Sequence, residues 1–163
     1  RLSRAHYRVV VATNQSGIAR GLYTMETLNR IHQNMTNSLR EHGGRIDAIF
    51  FCPHGPDDQC ACRKPQPGLL YEISERLNAP LAGVPLVGDS LRDLQSAAAV
   101  GALPVLVRSG KGLRAVQALN EAQASGTLGE VPVYDDLAAF TDDLLSGAVN
   151  PAIQACHEAN KAG

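Results

Sequence analysis

The sequence predicts an α/β fold: a three-layer sandwich in which a mostly parallel sheet is covered by helices on both faces, with no large cap domain. Three observations carry this. Short β-branched or apolar runs alternate with stretches of helical period, in the order β-α-β-α-β-α-β-α-β-α. The first runs show no polar alternation, which is the pattern of strands covered on both faces. The first three strand-to-helix passages carry small polar, thiol, cationic or acidic side chains, and open α/β sheets bind ligands beyond the carboxyl ends of their strands.

At 163 residues and 44% hydrophobic content, the chain reads as one core over residues 1–147 and a tail of weak periodicity over 148–163. A formal net charge of −1 gives no bulk attraction to nucleic acid. No apolar run approaches membrane-spanning length, and no signal-like stretch stands in the sequence. The expected setting is a cytoplasmic monomer that handles a small molecule, with neither nucleic acid nor membrane as partner.

Residues 8–13, Arg-Val-Val-Val-Ala-Thr, read as a buried strand. It runs into Thr13, Asn14, Gln15, Ser16 and Gly17, a loop that offers hydroxyls and backbone N–H groups to an anion. A plain polar turn is the competing reading. Residues 24–42 carry Leu28, Ile31, Met35 and Leu39 at the spacing of one helix face. Thr24 is placed to cap the start, and Gly43-Gly44 to end it. His32 and His42 read as solvated. Residues 46–51, Ile-Asp-Ala-Ile-Phe-Phe, form a second buried strand and deliver the next loop.

That loop holds three of the chain's four cysteines, in the order Cys52, His54, Cys60, Cys62. One imidazole and three thiolates close a tetrahedral zinc site, and with no position left open to water the metal would be structural. The alternatives are buried apolar thiols or a disulfide framework. Cys60 and Cys62 are one residue apart, so a bond between them would be strained, and intracellular thiols stay reduced. Immediately after loop 52–62 comes the cation pair Arg63-Lys64, followed by Pro65. Cys156 receives no role.

Residues 67–78 read as a helix with Leu69, Leu70, Ile73 and Leu77 inward and Pro67 in its first turn. A short strand over 84–88 ends at Gly88, and Asp89 follows at its tip. An acid there is well placed to hold Mg²⁺ through oxygen. Ser90-x-x-Asp93 then opens a helix as a capping box, so Asp93 reads as structural. Leu91, Leu94, Ala97 and Ala98 form that helix's apolar face. Residues 103–107 are a further strand, and 113–124 a helix with Val116 and Leu119 inward. Residues 131–134 are an edge strand marked by Pro132. Asp135-Asp136 leads into a last helix with Leu137, Phe140, Leu144 and Leu145. With the carboxyl ends placed side by side, Thr13, the loop to Ser16, Arg63, Lys64 and Asp89 would suit a phosphoryl group.

The segments VVVATNQSGIARG, CPH…CxCRKPxPG and VGDSxxDxxxA, in this order over about residues 8 to 110, resemble the haloacid dehalogenase-like phosphatases. More narrowly they resemble the branch of heptose-bisphosphate and histidinol phosphatases. The resemblance implies a Rossmannoid fold and a Mg²⁺-dependent phosphomonoester hydrolase, with removal of a sugar phosphate in lipopolysaccharide precursor synthesis as its first candidate reaction. It implies that Thr13 orients the phosphoryl group and Lys64 neutralises it, that Arg63 contacts substrate, and that Asp89 ligates magnesium. It also assigns Asn14, Gln15 and Ser16 to the substrate loop, and Cys52, His54, Cys60 and Cys62 to a structural zinc ion.

One departure stands out. The family attacks phosphorus with the first Asp of an Asp-x-Asp motif on an early central strand, and this sequence contains no Asp-x-Asp. The expectation is that the core lacks its first strand, that a segment preceding Arg1 supplies it in the natural protein, and that the chain alone is inactive. A stable inactive relative is the other possibility. Histidinol phosphate is the alternative substrate, and a non-catalytic, zinc-stabilised anion-binding module the alternative class. A nucleic-acid 3′-phosphatase is disfavoured, because no basic, aromatic-bearing groove is encoded.

Overall fold

The structure is a computed structural model that describes residues 1–147. The expected tail at 148–163, with Cys156, lies outside the described residues. The chain divides into two compact units, Arg1–Arg63 and Lys64–Gly163.

The first unit is a β-α-β arrangement. Strand β1 (Val10–Asn14) pairs in parallel with β2 (Ala48–Cys52), in register from Val10 opposite Ala48 to Asn14 opposite Cys52. Helix α1 (Met25–Glu41) connects them. Its start is fixed as the sequence requires: the Thr27 N–H donates to the Thr24 hydroxyl at 3.2 Å. Leu28 is fully buried, while Met35 and Leu39 are half-buried. Ile31, expected inward, is 51% exposed. His32, expected solvated, is half-buried, with its ring 5.9 Å from that of Phe51. The buried stripe therefore leaves Leu28 through the residue four along rather than three along, which turns Ile31 out and the histidine in.

The second unit continues the alternation. Helix α2 (Gly68–Leu77) precedes β3 (Pro85–Gly88), α3 (Leu91–Ala99), β4 (Leu103–Val107), α4 (Gly112–Ala124), β5 (Val133–Tyr134) and α5 (Leu137–Ser146). The sheet order is β3-β4-β5, all parallel. Leu94, Leu106, Ala115, Leu119, Ala122, Leu128 and Val131 form one apolar cluster beneath α3 and α4. The edge strand is shorter than 131–134. Pro132 has no N–H to extend the ladder, although its carbonyl still accepts from the Leu106 N–H at 3.0 Å.

Parallel strands alternating with helices are the α/β architecture expected, and the described strands pair in two ladders, β1-β2 and β3-β4-β5. One expectation about the strands needs correction. Strands β1 and β2, read as buried on both faces, are half-exposed at every position except Cys52. The reason is visible in β4. With a strand on each side, it buries Val105, Leu106 and Val107, whereas β1, β2 and β3 each have one strand neighbour among the described residues. No described helix is long and apolar enough to cross a membrane.

Candidate functional site

In the first unit, Thr13 and Asn14 are the last two residues of β1. Gln15 and Ser16 follow in a loop tied to the end of β2. The Gln15 backbone N–H donates to the Cys52 carbonyl at 2.7 Å, and the Ala19 N–H to the Pro53 carbonyl at 3.3 Å. Side chains add a second line of bonds. The Tyr23 hydroxyl donates to Gln15 Oε1 at 2.5 Å, and Gln15 Nε2 donates to Thr13 Oγ1 at 3.1 Å. The loop is thus a shaped turn in which the Thr13, Gln15 and Tyr23 side chains are bonded in series.

Cys52, His54, Cys60 and Cys62 come together as the spacing required, and their ligand atoms all lie within 4.8 Å of one another. Cys52 Sγ is 3.6 Å from Cys60 Sγ and 3.6 Å from His54 Nδ1. Cys62 Sγ is 3.5 Å from Cys60 Sγ and 3.2 Å from His54 Nδ1. Zn–S bonds of about 2.3 Å and Zn–N bonds of about 2.0 Å put the edges of a tetrahedral site at roughly 3.5–3.8 Å. The cluster is therefore the right size for such an ion. All three thiols are free, so the disulfide alternative is not realised among the described residues.

Burial pushes the Cys52 and Cys62 thiols up, Cys62 to about 12 with its sulfur neighbours adding to the effect. At Cys60 burial acts the same way but is outweighed by hydrogen bonds from Cys62, Cys52 and nearby backbone N–H groups, so its thiol titrates below the usual range. Two further bonds shape the loop. The Gly55 N–H donates to Asp58 Oδ2 at 2.7 Å, and the Arg63 guanidinium donates to the His54 carbonyl at 3.2 Å.

In the second unit, Lys64 is buried and forms an ion pair with buried Asp93, Nζ to Oδ1 at 2.5 Å. The other oxygen of Asp93 accepts from the Ser90 N–H at 3.1 Å and the Ser90 hydroxyl at 2.6 Å. Asp93 was expected only as the capping-box acid. It is that, and it is also the counterion that holds Lys64. Nothing local in the sequence marks that pairing; Gly88 reflects only where the acid folds back over the strand end, since a Cβ there would overlap the Asp93 carboxylate. Asp89 follows directly on β3, and its Oδ2 accepts from the Lys111 N–H, in the turn after β4, at 3.0 Å. Thr13 to Arg63 thus belong to the first unit, and Lys64 and Asp89 to the second.

Comparison with known proteins gives one consistent family. The family model described as HAD-hydrolase-like matches residues 61–138. The chain is 53% identical over 149 residues to the D-glycero-β-D-manno-heptose-1,7-bisphosphate 7-phosphatase of Bordetella bronchiseptica, covering 91% of this chain and 79% of that protein. It is 48% identical to the protein of the same name from Pseudomonas aeruginosa, covering 89% and 78%. A crystal structure of D,D-heptose 1,7-bisphosphate phosphatase from B. bronchiseptica, complexed with magnesium and phosphate, superposes with a TM-score of 0.81 at 52% identity, covering 90% of this chain and 78% of that one.

Proposed function

We propose that this chain, which belongs to the haloacid dehalogenase-like hydrolases and within them to the heptose-bisphosphate phosphatases, removes the 7-phosphate of D-glycero-β-D-manno-heptose 1,7-bisphosphate in the cytoplasm. The observation that carries the reading is the extent of its identity to the Bordetella enzyme of that name. The side-chain chemistry agrees with it.

The roles follow from what each group can do. The Thr13 hydroxyl donates to a phosphoryl oxygen, while Asn14, Gln15 and Ser16 contact the sugar. Arg63, held at one nitrogen by the His54 carbonyl, offers its other donors to substrate oxygens. Lys64 supplies positive charge to the transferring phosphoryl group. Its buried bond to Asp93 fixes where that charge sits. Asp89 offers a hard oxygen at the strand tip and would hold Mg²⁺. The ion, when bound, would supply positive charge to the phosphoryl oxygens. In this family's reaction an Asp carboxylate attacks phosphorus as the P–O bond to the sugar breaks, and the sugar leaves as its alcohol after protonation by the second Asp. Water then hydrolyses the aspartyl-phosphate to release phosphate. The attacking carboxylate is the first Asp of Asp-x-Asp, which is not among the residues of this sequence. The thiol and imidazole cluster would hold zinc structurally, as its donor set and edge lengths suit.

The test is phosphate release by the protein expressed from its natural reading frame, assayed on the 1,7-bisphosphate and on histidinol phosphate. Faster turnover of the heptose substrate, abolished by EDTA and restored by Mg²⁺, is expected. Preference for histidinol phosphate, or turnover that survives EDTA, would overturn the substrate or the metal assignment respectively.

A further inference from the structure

The geometry points to Tyr23 as a positioning residue for the Thr13 hydroxyl, acting through the Gln15 side chain. The inference rests on Thr13 being the group that donates to the phosphoryl oxygen. It starts from the donor and acceptor types in the chain Tyr23–Gln15–Thr13. Gln15 Oε1 can only accept, and it accepts a hydrogen bond from the Tyr23 hydroxyl at 2.5 Å. That sets the amide so that Nε2, which can only donate, faces Thr13 Oγ1 at 3.1 Å. A threonine hydroxyl that already accepts one bond keeps its own proton to give away. The relay therefore leaves the Thr13 proton available to a phosphoryl oxygen instead of spending it on the loop.

The position of Tyr23 is itself built in. Gly17 is buried, and a Cβ there would overlap the Tyr23 ring, so the backbone of the polar loop lies directly against that ring at its hydroxyl end. The Leu22 N–H donates to the Gly17 carbonyl at 2.8 Å and closes the turn that brings Tyr23 back over Gln15. All three side chains of the relay are half-buried, which limits competition from water for the two bonds. Tyr23 lies outside the residues that the sequence marked for the substrate loop, Thr13 to Ser16. It reaches them only because the chain doubles back between Ser16 and Thr24.

Coupling between Tyr23 and Thr13 is the readout, measured as a double-mutant cycle on kcat. Tyr23→Phe keeps the ring against Gly17 and removes the hydroxyl. It should lower kcat about fivefold, the size of one neutral hydrogen bond, with KM and melting temperature unchanged. Gln15→Glu cannot donate to Thr13, so it should draw the Thr13 proton inward and cost more than Tyr23→Phe. In a Thr13→Val background, Tyr23→Phe should have no further effect. A fivefold loss that persists in that background would overturn the proposal, as would a fully active Tyr23→Phe beside a crippled Thr13→Val. A fully active Thr13→Val would remove the role given to Thr13 and this proposal with it, which separates the two failures.

Discussion

The two units are held together by different means. Before residue 64 the buried hydrophobic side chains are Leu28 and Cys52; fifteen more run from Leu69 to Phe140. The second unit has an apolar cluster linking α3, β4, α4 and the segment before β5, so many weak contacts support it. The first unit relies on directed bonds: the Thr24 cap, the loop bonds from Gln15 and Ala19 to Cys52 and Pro53, and the thiol and imidazole cluster at the end of β2. A small apolar core with a metal-sized cluster is the usual economy of units too small to stabilise themselves by burial alone. The difference teaches where each unit is vulnerable. Removing one ligand should unsettle the first unit as a whole, whereas a change at the rim of the second should alter its chemistry and leave its packing intact.

The sharpest way to break this contrast is Asp89→Ala. Asp89 lies beyond the apolar cluster, so turnover in the natural enzyme should fall by a thousandfold or more, on the order of several kcal/mol of lost charge stabilisation. The melting temperature should stay close to wild type. Magnesium-dependent turnover that survives the substitution would remove Asp89 from the site, and a collapsed melting temperature would make its role structural.

Cys60→Ser tests the other side. Zinc content by atomic absorption should drop sharply, and amide protection should be lost across β1, β2 and the loop after β2 while α3 and β4 keep theirs. Uniform loss of protection in both units would erase the proposed difference between them. Zinc affinity should also fall as pH is lowered. Burial holds the Cys52 and Cys62 thiols protonated above their ordinary range in the metal-free cluster, Cys62 to about 12, and binding must displace those protons. Titration calorimetry in buffers of different ionisation enthalpy would count them; no proton release at neutral pH would contradict this.

The smallest of these effects concerns the one buried ion pair among the described residues. Lys64→Met strands the Asp93 carboxylate, which keeps only its Ser90 bonds. A loss of about 3 kcal/mol in denaturant unfolding is expected, near the lower end for half of a buried pair. The double substitution Lys64→Met, Asp93→Leu should recover much of that stability without recovering activity. If the double variant is no more stable than the single one, the penalty lies in lost packing and not in an uncompensated charge.

What could be read from residue order alone was local. Leu103–Val107, the Thr24 cap, the Ser90–Asp93 box and the Gly43-Gly44 stop depend on interactions within a few residues, where propensity and side-chain reach act directly. The thiol and imidazole cluster was legible for the same reason, since its four ligands lie within eleven consecutive positions, Cys52 to Cys62. Tertiary structure alone decided which half of a helix stripe faced inward at Ile31 and His32, how deeply each strand was covered, and that Asp93 would neutralise Lys64. Those outcomes join residues far apart in the chain. Periodicity can say that a face is apolar or that an acid caps a helix; it carries no term for the partner the fold brings up against it.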